Sequence, residues 1–254
     1  MNCSFISAPL IRLTFRGEME PFFIVQPCMP LLLFDIDGTL VHVTGGVQAA
    51  VSHAIQTVTG RSVCTDGVTF AGRTDPSIFS DVLRVSGISD PAAILDDVIR
   101  TYADRAQETI GPTDVTVLPG VSALLAELSQ RSNVHLGLVT GNVEPVAYHK
   151  LRRAGLASYF SVGAFGSDHA DRNALPAMAV RRASSHAERS FSLPRTTIIG
   201  DTQHDIECAR SAGTRVAAVC TGSYTRDELH PHTPDLLFDT LQNTESVIEN
   251  LLES

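Results

Sequence analysis

The chain has 254 residues, of which 43% are hydrophobic, so it can bury a sizeable core as one large domain or as a domain with an insertion. Its formal net charge is −9 and its basic residues never run beyond two in a row, which disfavours a nucleic-acid partner. No apolar stretch approaches the roughly 18 residues that would span a membrane. Five scattered cysteines without a C-x-x-C pair are typical of reduced thiols in a cytoplasmic protein.

The first 28 residues lack the continuous apolar segment of a secretory signal and carry mixed charges. Met29 and Pro30 follow directly, as a start codon would in a compact enzyme. We therefore expect residues 1–28 to be a dispensable N-terminal extension, either disordered or the product of a misassigned start.

The most informative stretch reads LLLFDIDGTLV at residues 31–41. Both faces of this run are apolar, which predicts a buried parallel strand. In an extended chain residues i and i+2 share a face, so Asp35 and Asp37 should converge at the carboxyl end of the strand. That edge is where open α/β sheets bind ligands, and uncompensated charge there is costly. Two converging acids therefore indicate a site for a hard cation, with a nucleophile and a proton donor.

The next 70 residues look helical. Thr44, Gly45 and Gly46 form a flexible spot suited to a hinge, and apolar residues then recur at helical spacing until about residue 116. Asp75-Pro76 and Asp90-Pro91 each read as an N-cap followed by proline at the first helical position. This pattern predicts a small helical domain, residues 46–117, inserted after the first strand.

From residue 118 onward, strands and helices alternate. The predicted helices are 121–130, 145–154, 173–186, 205–212 and a C-terminal one, and the predicted strands are 134–139, 161–164, 196–199, 216–219 and 235–238. Such alternation implies right-handed βαβ crossovers and a parallel sheet, so the expected fold class is α/β.

Two further predicted strands end in polar residues. The strand 134–139 is followed by Thr140, Gly141 and Asn142, whose hydroxyl and backbone N–H groups could hold a phosphate. The strand 196–199 leads into GDTQHD at residues 200–205, with two acids four positions apart. The carboxyl ends of parallel strands share one edge, so these groups should meet there. Such an oxygen-rich site would suit Mg²⁺.

With these residues in view, the chain resembles the haloacid dehalogenase superfamily, in particular its phosphoglycolate-phosphatase-like members. Residues 35–39 match the nucleophile motif D-x-D-G-T, residues 136–140 match the hydrophobic strand that ends in Ser or Thr, and residues 200–205 match G-D-x-x-x-D. The resemblance implies a Rossmann-like parallel-sheet core built from residues 29–45 and 118–254, with residues 46–117 as a helical cap.

One motif departs from the family. The third motif usually supplies a lysine, often followed by proline, and none is present here. Lys150 comes too early, inside a predicted helix. Arg172 has the right place, between the third strand and the acid motif, and a guanidinium can hold a phosphate with a bidentate fork. We therefore assign this role to Arg172.

The resemblance also implies the metal ligands and the chemistry. Mg²⁺ would be bound by Asp35, by the backbone carbonyl of Asp37 and by Asp201, with Asp205 as a further ligand or as an orienting group. Asp35 would attack phosphorus and form an aspartyl-phosphate. Asp37 would donate a proton to the leaving alkoxide and then deprotonate the attacking water.

The phosphate itself would be held by the remaining motif residues. Thr140, with Gly141 and Asn142 beside it, and Arg172 would neutralise charge on the transferring oxygens. The substrate would be a small phosphorylated metabolite. Because dehalogenases of the family lack the second aspartate, Asp37 favours a phosphatase.

Other interpretations stay open at this point. A phosphomutase resembling β-phosphoglucomutase would share both aspartates but return the phosphoryl group to a sugar, and a catalytically silent binding module would keep the fold alone. In the cap, Arg73 is a candidate substrate contact but more often a solvated residue before a helix. His42 could face the substrate or solvent, and His204 is expected to point elsewhere. An EF-hand is strongly disfavoured because a strand precedes Asp35 and the glycine spacing is wrong.

Overall fold

The computed structural model of the chain describes residues 29–65 and 67–253, together with the backbone of 9–13 and 19–23. Those two short segments are strands β1 (Pro9–Leu13) and β2 (Met19–Phe23), which pair antiparallel. The remainder of residues 1–28 lies outside the described part, and its dispensability stays a prediction.

The centre of the molecule is a six-stranded parallel sheet, so the predicted α/β class is confirmed. Its strands, in chain order, are β3 (Leu31–Phe34), β6 (His135–Val139), β7 (Gly163–Ala164), β8 (Thr196–Gly200), β9 (Arg215–Val219) and β10 (Leu236–Phe238). The order across the sheet is β10-β9-β8-β3-β6-β7. The first strand of the sheet thus lies between β8 and β6, and the chain order reverses there. Such a switch point is where open α/β sheets bind ligands.

Nine α-helices lie in the described residues. They are α1 (Val47–Thr59), α2 (Asp75–Val85), α3 (Leu95–Thr109), α4 (Val121–Ser129), α5 (Glu144–Arg153), α6 (Leu175–His186), α7 (Gln203–Ala212), α8 (Arg226–Leu229) and α9 (Thr244–Leu252). Over this part of the chain, none is long and apolar enough to cross a bilayer.

The sheet is covered on both faces, which explains why β3 is apolar throughout. Leu32 and Phe34 point into a core shared with α4, α5 and α9, while Leu31 and Leu33 point into a second core shared with α6 and α7. All four side chains are fully buried. Alternate residues of a strand face opposite sides of the sheet, so a central strand buried on both faces needs apolar residues at every position.

The helices α1, α2 and α3 occupy the segment predicted to be a cap, and we call residues 46–117 the helical insertion. Phe79 of α2 meets Tyr102 of α3 edge to face, with ring centroids 4.8 Å apart. The apolar residues of the insertion belong to the same continuous core as Phe34. The insertion therefore shares one hydrophobic core with the sheet. The domain boundaries themselves stay a prediction.

Two local details differ from the predictions. Strand β3 ends at Phe34, just before the two aspartates that were expected at its carboxyl end, and the backbone N–H groups of Leu40 and Val41 both turn back to the Ile36 carbonyl. The chain then forms an unpredicted antiparallel pair, β4 (Val41–Val43) with β5 (Val115–Val117), at the two ends of the insertion.

The predicted N-cap of α2 is wrong by one residue. Thr74 caps the helix, accepting a hydrogen bond from the Ser77 backbone N–H at 3.4 Å, and Asp75 is the first helical residue. The carboxylate of Asp75 accepts a hydrogen bond from the backbone N–H of Val143 at 2.8 Å instead, so it joins the insertion to the sheet.

Candidate active site

Three acids from separate parts of the chain meet at the carboxyl edge of the sheet. Asp35 follows β3, Asp201 follows β8, and Asp205 lies in the first turn of α7. One carboxylate oxygen from each lies within 4.8 Å of the others, and all three residues are buried. The nucleophile motif at residues 35–39 and the acid motif at residues 200–205 therefore meet as expected.

In the DGT turn, the glycine leaves space for Asp201 and the threonine donates a hydrogen bond to it. Gly38 has φ +80°, and a Cβ atom there would lie 2.3 Å from Oδ2 of Asp201. A Cβ on Gly222 would lie 1.7 Å from the same oxygen. The hydroxyl of Thr39 donates to Oδ1 of Asp201 at 3.2 Å. The conformation and the space at residue 38 thus both require glycine.

The carboxylate of Asp205 accepts hydrogen bonds from two residues. Its Oδ2 atom accepts from the backbone N–H of Thr202 at 3.1 Å and from the hydroxyl of Thr202 at 2.8 Å, as in a capping box at the start of α7. Its Oδ1 atom accepts from Arg172. Because both oxygens are engaged, Asp205 is better suited to orienting Arg172 than to binding a metal directly.

Arg172 is the cation nearest to Asp35. It lies just before α6 in a short 3₁₀ turn, and only 8% of the residue is exposed. Its Nη2 atom is 3.3 Å from Oδ2 of Asp35 and also contacts Asp205, and its Nη1 donates to the carbonyl of Gly72 at 3.1 Å. Its Nε is buried without a hydrogen-bond partner among the described residues. A buried, unpaired donor beside an acid cluster fits an anionic ligand such as phosphate.

The charges of the site do not balance. Burial raises the pKa of Asp35 to about 6, against the opposing effect of Arg172, and burial together with Asp205 and Asp35 raises the pKa of Asp201 well above its usual range. Burial works against the charge of Arg172, but Asp205 and Asp35 outweigh it and raise its pKa. Three carboxylates face one guanidinium, and an oxygen-rich set of this kind fits a divalent cation such as Mg²⁺.

The carboxylate of Asp37 is held by residues outside this cluster, and one of them was missed from the sequence. Nζ of Lys150, on α5, donates to Oδ1 and Oδ2 of Asp37 at 2.8 and 2.7 Å. Nδ2 of Asn142 donates to Oδ2 of Asp37 at 2.7 Å. The carboxylate of Asp37 is thereby engaged, which leaves its backbone carbonyl for a metal. Lys150 does not contact Asp35, so it does not take the place assigned to Arg172.

The sequence contained a signal for Lys150. Among the 19 basic residues of the chain it is the single lysine, the others being arginine. It is also only 2% exposed. A lone lysine on the buried face of an amphipathic helix is an unusual place for a charge.

The residues of the second motif have two different roles. One is available to bind phosphate, and another binds Asp37. The hydroxyl oxygen of Thr140 accepts from Nδ2 of Asn142 at 3.0 Å, so its proton is free to be donated into the site. The carbonyl of Gly141 accepts from the backbone N–H of Asp75 at 2.8 Å. The side chain of Asn142 is turned towards Asp37 and Lys150. Of the three residues of the second motif that were predicted to hold phosphate, Thr140 alone offers a side-chain donor for that purpose.

A loop of the helical insertion lies directly over the site. A Cβ on Gly141 would lie 2.0 Å from the carbonyl oxygen of Arg73. A Cβ on Gly72 would lie 2.6 Å from both Oγ1 of Thr202 and Cδ2 of His204. Backbone meets backbone here, so the insertion and the sheet are in contact at the mouth of the site.

The remaining candidates lie beside the site. Arg73 turns back to its own helix and pairs with Asp81 at 2.7 Å, so it is not the solvated residue that the sequence favoured, nor does it point at Asp35. His204 rests against the loop at Gly72. His42 lies on β4 and is exposed.

The fold and the site together define a class: an α/β protein that gathers buried carboxylates and one guanidinium at the switch point of a parallel sheet. The sequence model of the haloacid dehalogenase-like hydrolases matches residues 32–219, and the chain belongs to that family. The resemblance inferred from the motifs is thus confirmed, and with it the expectation that the chain is an enzyme of the hydrolase class.

Several proteins are similar to the chain along most of their length. The phosphoglycolate phosphatase of Pectobacterium atrosepticum is 26% identical over 212 residues, which cover 82% of this chain and 87% of the relative. That of Synechococcus elongatus is 29% identical over 228 residues, with coverage of 88% and 99%. The crystal structure of a predicted phosphoglycolate phosphatase from Haemophilus somnus 129pt has a TM-score of 0.65 at 19% identity and covers 87% of this chain and 98% of its own.

Proposed function

We propose that the protein is a Mg²⁺-dependent phosphatase that hydrolyses a small phosphate monoester through an aspartyl-phosphate on Asp35. The observation that carries the proposal is the setting of Asp35: its buried carboxylate lies 3.3 Å from Arg172 and within 4.8 Å of the acids at 201 and 205. A nucleophile in that setting has a cation for the phosphate on one side and a metal-binding set on the other.

Asp35, Asp201 and the backbone carbonyl of Asp37 would hold the metal. When bound, Mg²⁺ supplies positive charge that lets a negatively charged phosphate approach a carboxylate. The three acids fit this role because they repel one another and have one guanidinium between them. Asp205 contributes by holding Arg172 in place.

The phosphoryl group would be transferred in two steps, first to Asp35 and then to water. In the first step an oxygen of Asp35 attacks phosphorus, the bond to the leaving oxygen breaks, and Asp37 gives that oxygen a proton. In the second step Asp37 takes a proton from a water molecule whose oxygen attacks phosphorus, and the bond to Asp35 breaks. The products are inorganic phosphate and an alcohol, and both aspartates return to their starting states.

Arg172 and Thr140 would stabilise the charge on the transferring oxygens. The donors would be the unpaired Nε–H of Arg172, which lies just before α6, and the hydroxyl of Thr140, which follows β6. Donors that are already in position need no reorganisation during the reaction, and this accounts for much of the catalysis of phosphoryl transfer.

The helical insertion would act as the cap and limit the size of the substrate. Its loop at Gly72 and Arg73 already touches the site, so the space above Asp35 suits a small metabolite. The phosphatase relatives support phosphoglycolate or a similar small ester as the first candidate. A cytoplasmic location is part of the proposal and is supported by free thiols at Cys64, Cys208 and Cys220.

Phosphate release tests this proposal. Purified protein should release phosphate from phosphoglycolate and from an aryl phosphate with Mg²⁺ and not with EDTA, and Asp35→Asn should lose at least about 10³-fold in kcat while staying folded. Metal-independent release would contradict the proposal. Isomerisation of a sugar bisphosphate without net phosphate release would favour the mutase, and no turnover of any ester would favour a silent binding module.

A further inference from the structure

All three hydrogen-bond donors of the Lys150 ammonium bind two residues of the site. Its ammonium donates to both carboxylate oxygens of Asp37 and to Oδ1 of Asn142, the last at 2.7 Å. Asn142 in turn donates to Asp37 and to Thr140. An ammonium has three N–H groups, so all of them are satisfied within this cluster. We call Asp37, Asn142 and Lys150 the lysine cluster.

Burying the ammonium of Lys150 costs free energy, and its contact with Asp37 offsets that cost. Desolvating an ammonium costs several kcal/mol unless a partner compensates it. Lys150 lies on the buried face of α5, between His149 and Leu151, and is 2% exposed. A guanidinium is a wide planar fork, whereas an ammonium is a compact charge that can meet two carboxylate oxygens and an amide oxygen from one point. That geometry explains a lysine in a chain that otherwise uses arginine.

The lysine cluster fixes the direction of the Asp37 carboxylate. The side chain of Asp37 keeps 41% of its surface exposed, while that of Lys150 keeps 3%. Asp37 is thus held from the α5 side and remains open on the other side. The only charged group that contacts it among the described residues is Lys150, so removing the ammonium would leave its rotation limited by one amide alone.

We propose that Lys150 is a positioning residue that holds Asp37 in the orientation needed to hand a proton to the leaving oxygen. The inference rests on the proposed function, because it assigns the proton transfer to Asp37. It adds a residue that none of the three family motifs contains. Lys150 itself transfers no proton and touches no reacting atom in this assignment.

Leaving groups of different basicity separate this role from a purely structural one. An alkoxide, as from phosphoglycolate, needs a proton in order to leave, whereas 4-nitrophenolate leaves without one. Lys150→Met should therefore lower kcat/KM for phosphoglycolate by about 100-fold or more, which is the contribution typical of general-acid catalysis. For 4-nitrophenyl phosphate the same variant should stay within about threefold of the wild type.

The control variant is Leu151→Ala on the same helix. Leu151 is fully buried and its apolar side chain can make no hydrogen bond to Asp37, so its truncation destabilises α5 while the three hydrogen bonds of Lys150 remain. This variant should keep the wild-type ratio of the two kcat/KM values. Equal losses on both esters in Lys150→Met, or no loss on phosphoglycolate, would overturn the proposal. If the wild type hydrolyses neither ester, the proposed function fails first, and the role of Lys150 fails with it.

A spectroscopic measurement tests the contact without turnover. Lysine labelled with ¹³C at Cε gives a single side-chain resonance, because the chain has a single lysine. Asp37→Asn should move that resonance, and Leu151→Ala should leave it in place. A resonance that Asp37→Asn does not shift would show that the contact is absent in solution and would overturn the proposal.

Discussion

At the scale of single residues, Arg172 joins the catalytic groups to the insertion. One guanidinium contacts Asp35, Asp205 and the carbonyl of Gly72. The donors of its planar fork are spread out, so it can reach acceptors on different sides, whereas an ammonium presents its donors from a single point. An arginine at this position therefore suits a site whose cation also contacts the helical insertion.

Removing this guanidinium should impair catalysis, and because it also leaves Asp35 and Asp205 without their buried cation, it should lower stability as well. Arg172→Ala should lower kcat/KM about 10²- to 10³-fold, because it deletes donors to the transferring phosphate. Steady-state kinetics on one ester measures the loss. Arg226→Ala is the matched control, since Arg226 makes an exposed ion pair with Asp239 at 2.8 Å and should change neither kinetics nor stability appreciably. Unchanged kinetics in Arg172→Ala would remove it from the site.

The sequence predicted the acids of the site better than it predicted the role of Asp37. Asp35 and Asp201 each follow a buried parallel strand, and strand ends of that kind meet at one edge whatever the details of packing. The sequence placed Asp37 beside Asp35 but gave no indication that Lys150 and Asn142 would bind its carboxylate. The contact with Lys150 spans 113 positions and depends on how α5 packs, which helical periodicity does not reveal.

At the scale of elements, the contact between the insertion and the second motif depends on Gly141. Its carbonyl accepts from Asp75, and its missing side chain leaves space for the backbone of Arg73. Burial raises the pKa of Asp75 to about 6, although Lys150 and the Val143 backbone lower it. The strand, the loop and α2 thus meet at one point above Asp35.

A methyl group at this point should separate the two elements. In Gly141→Ala the new Cβ would lie 2.0 Å from the Arg73 carbonyl oxygen, so the loop must move, and we expect a loss of about 1–3 kcal/mol in stability together with a lower kcat/KM. Urea unfolding and steady-state kinetics measure the two effects.

The control for this variant lies inside the insertion. Gly111 has φ −82°, and its Cβ would meet only Oδ2 of Asp114, at 3.3 Å. Gly111→Ala should therefore be tolerated. Wild-type stability and activity in Gly141→Ala would show that the loop does not need its present position.

The sequence placed most elements within a few residues of where they lie. The strand predicted at 196–199 is Thr196–Gly200, and the helix predicted at 173–186 is Leu175–His186. The pair β4 and β5 was missed because each strand has three residues and they pair across the whole insertion. Pairing of two such distant, short segments leaves no periodic signal in either one.

At the scale of the whole molecule, negative charge is concentrated where the metal is expected. The chain carries a net charge of −9, and three of its acids are buried together. Burial raises the pKa of Asp35 to about 6, whereas an unfolded aspartate titrates near about 3.9. The folded state therefore binds this proton more tightly than the unfolded state does.

The sign of the pH dependence follows from this difference. Without metal, the stability that protonated Asp35 provides is fully present below about pH 4 and is lost as pH rises through about 6, an effect of about 2–3 kcal/mol. Mg²⁺ at 100 times its dissociation constant should restore about 2.7 kcal/mol at pH 7 and much less at pH 4.5, where protons compete. Denaturant unfolding across this pH range, with Asp35→Asn as the control, measures both effects. A metal-free stability that rises between pH 4 and 6 through Asp35 would contradict the account.

Trapping the aspartyl-phosphate tests most directly whether Asp35 carries the phosphoryl group. Wild-type protein is mixed with Mg²⁺ and a phosphate ester, quenched in acid within the first turnover and digested for mass spectrometry. The account predicts one added phosphoryl group on the peptide that contains Asp35, and none in Asp35→Asn. Turnover that continues in Asp35→Asn, or a phosphoryl group found on a different residue, would contradict it.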